Sequence, residues 1–531
     1  MATYEIPVPE TKSSGWSLAY QWQALIVVVI GSFMVMLDTT AVNIALPKII
    51  NVFGASVDSA QFVLTGYMLA LAIVMPTAGY LTETYGTKRV YMLSMLFFTL
   101  GSLLCGLSWS VQSLVFFRIL QGFGGGLLTP LGMTIIFRVT PPAKRGMVTG
   151  LYGLPLLLAP VIGPTLGGYI VQYYDWRFIF TMNLPIGIIG MSMAWMMLRE
   201  TPRVPNLHFD LRGFLLSAFG FSAILYALAT APDDGWTTPV NLTLLVTGTI
   251  ALILWVFVEL RETHPLLDLR VFKNRTYTLA TSVTFIVTLG MFSSTFLLPL
   301  FLQDFRGLTP LQSGLLLFPQ ALAAGMMMPI TGRLFDRLGP RPLIVSGLIL
   351  MAFATYQLSS ISMEMSNRTM YGILMIRGVA MGLVTMPAIT VAMNTLPHHL
   401  VARGSALTNV MRQLFGAFGT AIFASLLLSR MTYHTAMLSQ VVTPDSPIVR
   451  TTIAGLTRYA AHLGATPLQA TVDAVYNLYM GLVNKAAVMS FDDCFRVAAI
   501  ICLFGVIPAL FLKSKGHSHQ PGEAAEAVMM E

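Results

Sequence analysis

Charged side chains interrupt long apolar runs at positions where a charge is costly. Asp38 lies about two-thirds of the way through the first run, and Arg118 lies within the fourth. An unpaired carboxylate in such surroundings resists ionisation, whereas a nearby cation favours it, so a carboxyl group that alternates between the two can carry a proton. We therefore predict that Asp38 carries a proton and that Arg118 is its partner. The alternative is a structural lock between two helices.

Other polar residues in apolar runs are candidates for a substrate cavity. Asn43 and Gln121 lie about one turn from the pair above, and Arg377 and Arg412 are isolated cations in later runs. A cation that faces a cavity can bind anionic groups of a substrate, although each of these residues could equally hold helices together. The sequence contains no phosphate loop, nucleophile motif or metal-ligand spacing. We therefore predict a protein without enzyme activity, metal or cofactor, driven by an ion gradient.

The elements that position these residues are transmembrane helices. Apolar residues make up 55% of the 531 residues and charged residues only 10%, too few for a hydrated surface. We count fourteen runs of about 20 mostly apolar residues, the length that crosses a bilayer about 30 Å thick. Basic residues are spread between these runs rather than gathered in a patch, which argues against a nucleic-acid partner. The predicted fold class is an all-α polytopic protein surrounded by membrane lipid.

The distribution of Lys and Arg predicts the orientation. If both termini are cytoplasmic, the cytoplasmic segments contain 19 of these residues and the short outer loops contain four. Because cytoplasmic loops retain positive charge during insertion, we predict a multi-pass protein with both termini inside the cell. A long outer segment, 430–493, precedes the last run at 495–512. Its amphipathic stretch 468–489 is predicted to lie outside the membrane, as a folded cap or as a docking surface for an envelope partner.

An internal repeat divides the chain. One segment follows the second run and recurs after the tenth, with an offset of 253 residues between Gly79 and Gly332. Its glycines allow a tight turn, and its acids and bases predict a cytoplasmic latch between two halves; the latch residues are Gly79, Glu83, Gly86, Lys88, Arg89, Gly332, Asp336, Arg337 and Gly339. We predict tails at 1–21 and 513–531, six-helix bundles at 22–198 and 276–512, and two inserted helices within 199–275.

Together these segments resemble the fourteen-span drug:proton antiporter branch of the major facilitator superfamily, the EmrB/QacA type. The resemblance covers nearly the whole chain and rests on segments at 37–47, 79–89, 118–126, 153–168, 176–180 and 183–187. In that family the fifth span, rich in glycine and proline, marks exporters that exchange substrate for protons. The matching residues here are Gly153, Pro160, Gly163, Pro164, Gly167 and Gly168. The arginine that corresponds to Arg118 is implicated in proton transfer.

The resemblance implies a major facilitator fold and proton-coupled export of drugs or other lipophilic compounds by alternating access. Export of a single metabolite, such as a siderophore, fatty acid or amino acid, is the alternative. The implied location is a bacterial inner or plasma membrane. The implied partners are a small-molecule substrate and protons, with a periplasmic adaptor and an outer-membrane channel as further candidates. Glu83 stands where the family usually has Asp, and Thr84 where a base is common. These departures predict a looser latch in the first half.

Overall fold

The computed structural model describes residues 19–512 except 142–143, 205–206, 398–399, 444–445, 463 and 465, and almost all of them are helical. Thirteen helices of this part of the chain are long and apolar enough to cross a bilayer. A further helix, Arg145–Tyr173, lies at the position of the fifth predicted span. Together they correspond one to one with the fourteen predicted spans. Residues 1–18 and 513–531, which form most of the predicted tails, lie outside the described residues.

The first bundle begins with a 34-residue helix. A 3-10 turn at Met75–Thr77 joins the second and third helices, where Pro76 has no amide hydrogen to donate. The helices of this bundle are α1 (Tyr20–Phe53), α2 (Val57–Val74), α3 (Ala78–Tyr85), α4 (Thr87–Gly106), α5 (Val111–Val139), α6 (Arg145–Tyr173), α7 (Phe178–Thr181) and α8 (Asn183–Met197). Gly86 separates α3 from α4 with φ +93°, a backbone conformation that glycine adopts without strain.

The remaining helices form the inserted pair and the second bundle. They are α9 (Leu211–Asp234), α10 (Pro239–Arg261), α11 (Arg275–Leu300), α12 (Pro310–Leu338), α13 (Pro340–Gln357), α14 (Asn367–Asn394), α15 (Val401–Val441), α16 (Pro447–His462), α17 (Pro467–Phe504) and α18 (Val506–Leu510). The inserted helices α9 and α10 pack on each other, and α9 also lies against α2 and α15. Gly339, with φ +78°, separates α12 from α13 as Gly86 separates α3 from α4.

Glycines of α5 allow the helices around Arg118 to approach closely. A Cβ atom at Gly122 would lie 2.7 Å from Cβ of Ala70 and 2.9 Å from the carbonyl oxygen of Tyr67, both in α2. Transmembrane helices without bulky side chains at the contact gain dispersion energy from this close approach. The glycines of the predicted segment 118–126 therefore hold α2 and α4 against α5, which encloses Arg118.

The outer segment differs from its prediction in one respect. The stretch 468–489 was expected to be separate from the last span, whereas it forms the first part of α17, which continues unbroken to Phe504. Pro467 lies in the first turn, where its missing amide hydrogen is harmless, and the next break in the helix comes at Gly505. α16 packs alongside α17. The outer segment is therefore a helical extension of the last two spans.

Candidate functional site

A fully buried ion pair lies inside the first bundle. Nη1 of Arg118 donates to Oδ2 of Asp38 over 2.6 Å, and neither residue is exposed. Nη1 also donates to Oε1 of Gln121 over 2.8 Å, and Nε donates to the carbonyl of Val63 over 3.2 Å. The guanidinium carbon lies 3.8 Å from the ring centre of Tyr67, a cation–π geometry. The two residues that the sequence predicted as partners are thus in direct contact.

Two side-chain amides hold the other oxygen of Asp38. Nδ2 of Asn183 donates to Oδ1 over 2.8 Å, and Nε2 of Gln121 donates to the same oxygen over 3.0 Å. Both amides also donate to Oγ of Ser102, over 3.0 Å and 3.2 Å, and that hydroxyl donates to the carbonyl of Phe180 over 2.9 Å. Asp38 is therefore the meeting point of α1, α4, α5 and α8, and it carries one charge partner and two neutral donors.

Sequence reasoning missed Ser102 and Asn183 as members of this network. Both are polar residues inside apolar runs, and that was the available signal, since a buried polar group requires a hydrogen-bond partner. Gln121, predicted as a cavity residue, is fully buried within the network instead. Asn43 is exposed and makes no hydrogen bond within the described part of the chain, so it does not belong to the network.

The two isolated arginines have different surroundings. Arg377 of α14 is fully buried inside the second bundle, where Nη2 donates to the carbonyl of Gly290 over 2.9 Å. Arg412 of α15 lines a small cavity between the bundles, together with Tyr152 and Thr129 from the first bundle. Its Nη2 donates to Oδ1 of Asn409 over 2.9 Å, and no described acidic side chain forms an ion pair with it. Among the predicted cavity residues, Arg412 is the one that lines this space.

The first latch segment joins the two bundles. Oε2 of Glu83 in α3 accepts from Nη2 of Arg403 in α15 over 2.7 Å, and the two side chains are 11% and 12% exposed. A Cβ atom at Gly79 would lie 2.7 Å from Cγ of Arg403, so glycine is what lets the arginine lie against α3. Lys88 and Arg89 were predicted as the bases of this latch. The base that crosses between the bundles is Arg403.

The second latch segment also joins the two bundles, here through α12 of the second bundle and α6 of the first. The carboxylate of Asp336 accepts from the backbone amide of Gly146, at the start of α6, where the helix dipole favours an anion. Gly332 lies against the same residue, since a Cβ there would be 2.5 Å from the Gly146 carbonyl oxygen. Arg337 is exposed and forms no ion pair among the described residues. Among the described residues, the first latch therefore has a charged pair across the bundles, and the second has a hydrogen bond to a backbone amide. The looser first latch stays a prediction.

The helix starts that receive the two latch acids are themselves a repeat. Arg145 and Gly146 begin α6, and Arg403 and Gly404 lie in the first turn of α15, with an offset of 258 residues. This offset is close to that of the latch segments and would have identified Arg403. Arg145 also reaches across the bundles, where Nη1 donates to Oδ1 of Asn394 over 3.0 Å.

The linker after α8 braces the first latch. Oε1 and Oε2 of Glu200 accept from the amides of Lys88 and Arg89 over 3.0 Å and 3.2 Å, at the start of α4. The amide of Val204 donates to the carbonyl of Glu83 over 2.8 Å. Nζ of Lys88 donates to the carbonyl of Trp195. Lys88 and Arg89 thus contact the first bundle and its linker, and no sequence signal other than its charge pointed to Glu200.

The predicted antiporter helix, α6, uses its glycines against two different partners. Gly153 faces the second bundle, where a Cβ would lie 2.8 Å from Sδ of Met328. Gly163 and Gly167 face α1, and a Cβ at Gly163 would overlap the Thr40 hydroxyl. Gly168 has open space around it, so close packing does not require glycine there. The two remaining predicted positions of this helix are prolines. Pro164 lies within the helix, and the side chain of Pro160 lies outside the described residues.

The Glu83–Arg403 contact leads to a prediction about the closed latch. Glu83→Gln removes a charge-assisted hydrogen bond of about 1.5–3 kcal/mol, so the population open at the predicted cytoplasmic face should rise roughly tenfold to a hundredfold. Ser405→Cys supplies the probe, because Ser405 is buried and bonds the carbonyl of Pro130 across the bundles. Its labelling by a water-soluble maleimide should accelerate by the same factor. Glu262→Gln, on the same face but with a side chain that bonds the adjacent Thr263, is the control and should leave the rate unchanged. Equal rates in all three proteins would exclude Glu83 as a latch.

Two packed helical bundles whose helices are long and apolar enough to cross a bilayer, with a buried ion pair inside one of them, define a polytopic membrane protein. The sequence profile of the Major Facilitator Superfamily matches residues 28–420, and the chain belongs to this family. It is 34% identical to a multidrug resistance protein B homolog of Mycobacterium tuberculosis over 502 residues, which is 93% of this chain and 90% of that protein.

Further comparisons extend over nearly the full length. The chain is 29% identical to the probable multidrug resistance protein EmrY of Escherichia coli over 517 residues, 96% of this chain and 98% of that protein. The crystal structure of the human organic anion transporter MFSD10 has the same fold, with a TM-score of 0.59, 13% identity, and coverage of 92% of this chain and 99% of that one. The predicted family and fold are confirmed.

Proposed function

We propose that this protein exports drugs or other lipophilic compounds from the cell in exchange for protons. The fully buried Asp38–Arg118 pair, with its neutral amide donors, is the observation that carries the proposal. Asp38 is the one acidic side chain in this network, so it is the group that binds the transported proton. Relatives named for multidrug and lincomycin resistance support drugs as the cargo.

The mechanism follows from what a proton does to the pair. While Asp38 is ionised, Arg118 holds it and the amides of Asn183 and Gln121 donate to it. When Asp38 is protonated, the guanidinium loses its charge partner, and the helices α1 and α5 lose much of the attraction between them. The two protonation states therefore favour different arrangements of the bundle, which couples the proton to the exposure of the cavity.

The latch contacts support one state of the transport cycle. Glu83–Arg403 and Asp336–Gly146 join the bundles at the face where α1 begins and α18 ends, which the distribution of basic residues predicts to be cytoplasmic. The described contacts therefore correspond to a form closed toward the cytoplasm. Export requires this form to release substrate outside and accept a proton there.

The test uses purified protein in liposomes and an efflux-deficient bacterial host. An imposed proton gradient should drive a lipophilic dye against its concentration gradient, and a protonophore should stop it. The host should become resistant to several compounds from a panel of lipophilic cations and weak acids. Transport that continues with the proton gradient collapsed would refute exchange. Resistance to a single metabolite would favour the dedicated exporter.

Arg412 provides a prediction about the cargo. An uncompensated cation in a cavity with hydroxyl groups and methionines suits an amphiphilic compound that carries a carboxylate or sulfonate. Arg412→Gln should reduce export of such anions about tenfold or more, the value of one lost charged hydrogen bond, and leave export of cations unchanged. Arg430→Gln, on the same helix but 44% exposed, is the control and should change neither. Equal loss of both classes would show that Arg412 is a structural residue.

The adaptor and the outer-membrane channel stay predictions. The outer part of α17 supports such a docking surface with a row of exposed apolar side chains, Leu468, Val472, Val475, Tyr476 and Tyr479. These positions recur every three or four residues, so they share one face of the helix.

A further inference from the structure

The inserted helices carry two buried acids that the exchange mechanism does not use. Asp210 caps α9, where Oδ1 accepts from the amide of Gly213 over 2.8 Å. Glu259 lies near the end of α10, where Oε1 accepts from Nε1 of Trp255 over 3.0 Å and from the amide of Leu267 over 3.4 Å. The two residues are 8% and 1% exposed. Helix capping accounts for one oxygen of Asp210, whereas no cap accounts for the burial of Glu259.

Each carboxyl group has one oxygen without a hydrogen-bond partner among the described residues, Oδ2 of Asp210 and Oε2 of Glu259. The groups face a common space beside α9. A Cβ atom at Gly213 would overlap Oδ2 of Asp210 and would lie 3.2 Å from Oε1 of Glu259. Two buried carboxylates so placed repel each other, and an unpartnered carboxylate oxygen away from water is costly. One proton removes one charge and supplies an O–H donor.

The surroundings offer little compensating positive charge. Of the charged groups on the elements packed around Glu259, Asp210 and Arg403 act on it. Arg403 is already bonded to Glu83 over 2.7 Å. Arg270, on the turn after α10, is exposed and donates to main-chain carbonyls, over 3.2 Å and 2.9 Å. Among the described residues, Arg403 is therefore the cation that acts on Glu259, and it is shared with the latch.

The pair is also mechanically connected to the latch. The ring of Phe209, the residue before Asp210, lies 5.0 Å from the ring of Tyr80 in α3. α9 packs against α15, which carries Arg403, and against the 3-10 turn that precedes α3. A change in charge at the pair thus acts directly on the elements that form the latch.

We propose that Asp210 and Glu259 form a second proton-binding site, separate from Asp38, and that its proton strengthens the Glu83–Arg403 latch. With the proton bound, the pair carries one negative charge and Arg403 stays with Glu83. With the proton lost, the pair carries two negative charges and draws Arg403 away from Glu83. The latch is therefore stronger at acidic internal pH and weaker at alkaline internal pH. The link to the latch rests on the alternating-access function proposed above, whereas the proton site does not.

Infrared difference spectroscopy of the purified full-length protein tests the site without any transport assay. Between about pH 5 and about pH 9, the range in which buried carboxyl groups titrate, wild type should show protonated-carboxyl C=O bands that disappear as pH rises, one of them from Glu259. Glu259→Gln should abolish that band, and Asp210→Asn, which keeps the cap, should shift or abolish it. Asp268 caps the neighbouring turn, and the control variant Asp268→Asn should leave the band unchanged. If Glu259→Gln removes no band from the wild-type spectrum, the site is overturned.

Spin labels on Tyr85→Cys and Leu338→Cys test the effect on the latch. Both residues are exposed, at the ends of α3 and α12, and the native cysteines are buried and do not compete for label. Electron–electron distance measurements should show the short-distance population falling as pH rises, and Glu259→Gln should remove this dependence. A pH dependence that persists in Glu259→Gln would overturn the regulatory link. Loss of transport with an intact infrared band would instead count against the exchange function alone.

Discussion

Asp38→Asn is expected to abolish transport driven by a proton gradient while leaving the protein in the membrane. The substitution preserves shape but removes the only carboxyl group of the network, so no proton can be carried there. It also leaves Arg118 buried without a counter-charge, and breaking a buried pair in this way costs about 3–5 kcal/mol of stability. Dye extrusion from liposomes measures the first effect, and thermal unfolding in detergent measures the second.

Asp175→Asn is the matched control for that experiment. Asp175 is paired with Arg177 over 3.7 Å, and its side chain is 51% exposed. Exposed pairs contribute roughly 0–1 kcal/mol, so neither transport nor the unfolding temperature should change measurably. Undiminished gradient-driven extrusion by the Asp38→Asn protein would reject Asp38 as the proton carrier.

Gly163→Leu is expected to stop turnover. A Cβ at this position overlaps the Thr40 hydroxyl and lies 2.8 Å from Cβ of Thr40 and 3.3 Å from the amide of Ala41. Thr40 is two residues from Asp38, so the displaced helix α1 would carry the ion pair with it. Overpacking of this kind costs about 1–3 kcal/mol. Transport rate and thermal stability should both fall.

Gly168→Leu, five residues further along the same helix, separates crowding from loss of helix flexibility. No atom lies within 4 Å of a Cβ built there, so the larger side chain meets open space. This variant should transport at close to the wild-type rate. If both variants fail alike, the glycines act through the helix backbone rather than through contact with α1, and if both work, the pivot is excluded.

Composition and repeat structure were sufficient to predict the architecture and the central ion pair. Intramembrane charges are rare and an intramembrane acid favours a cationic partner, so Asp38 indicated Arg118 even though the two lie 80 residues apart. The offset between the latch segments likewise predicted that both lie at corresponding positions of the two bundles. In the structure each segment contacts the other bundle.

The remaining contacts depend on how the bundles are placed against each other. The repeat relates Arg403 to Arg145, but its bond to Glu83 is seen only when α15 is packed against α3. Glu259 lies near the end of an apolar run, where a charge is normally at the membrane surface, and only the packing of α9 and the turn after α10 buries it. The long α17 was missed because its polar residues interrupt the apolar pattern without interrupting the helix.

The linker that holds Glu200 and Val204 connects the first half to the inserted helices. In the first half, α4 and the carbonyl of Glu83 are tied to the chain that leads into the inserted helices. α9 packs against both α2 and α15, so a displacement between the bundles has to be taken up at one of these two contacts or within the linker. The two halves of the repeat are thus joined by a segment that is hydrogen-bonded to the first half.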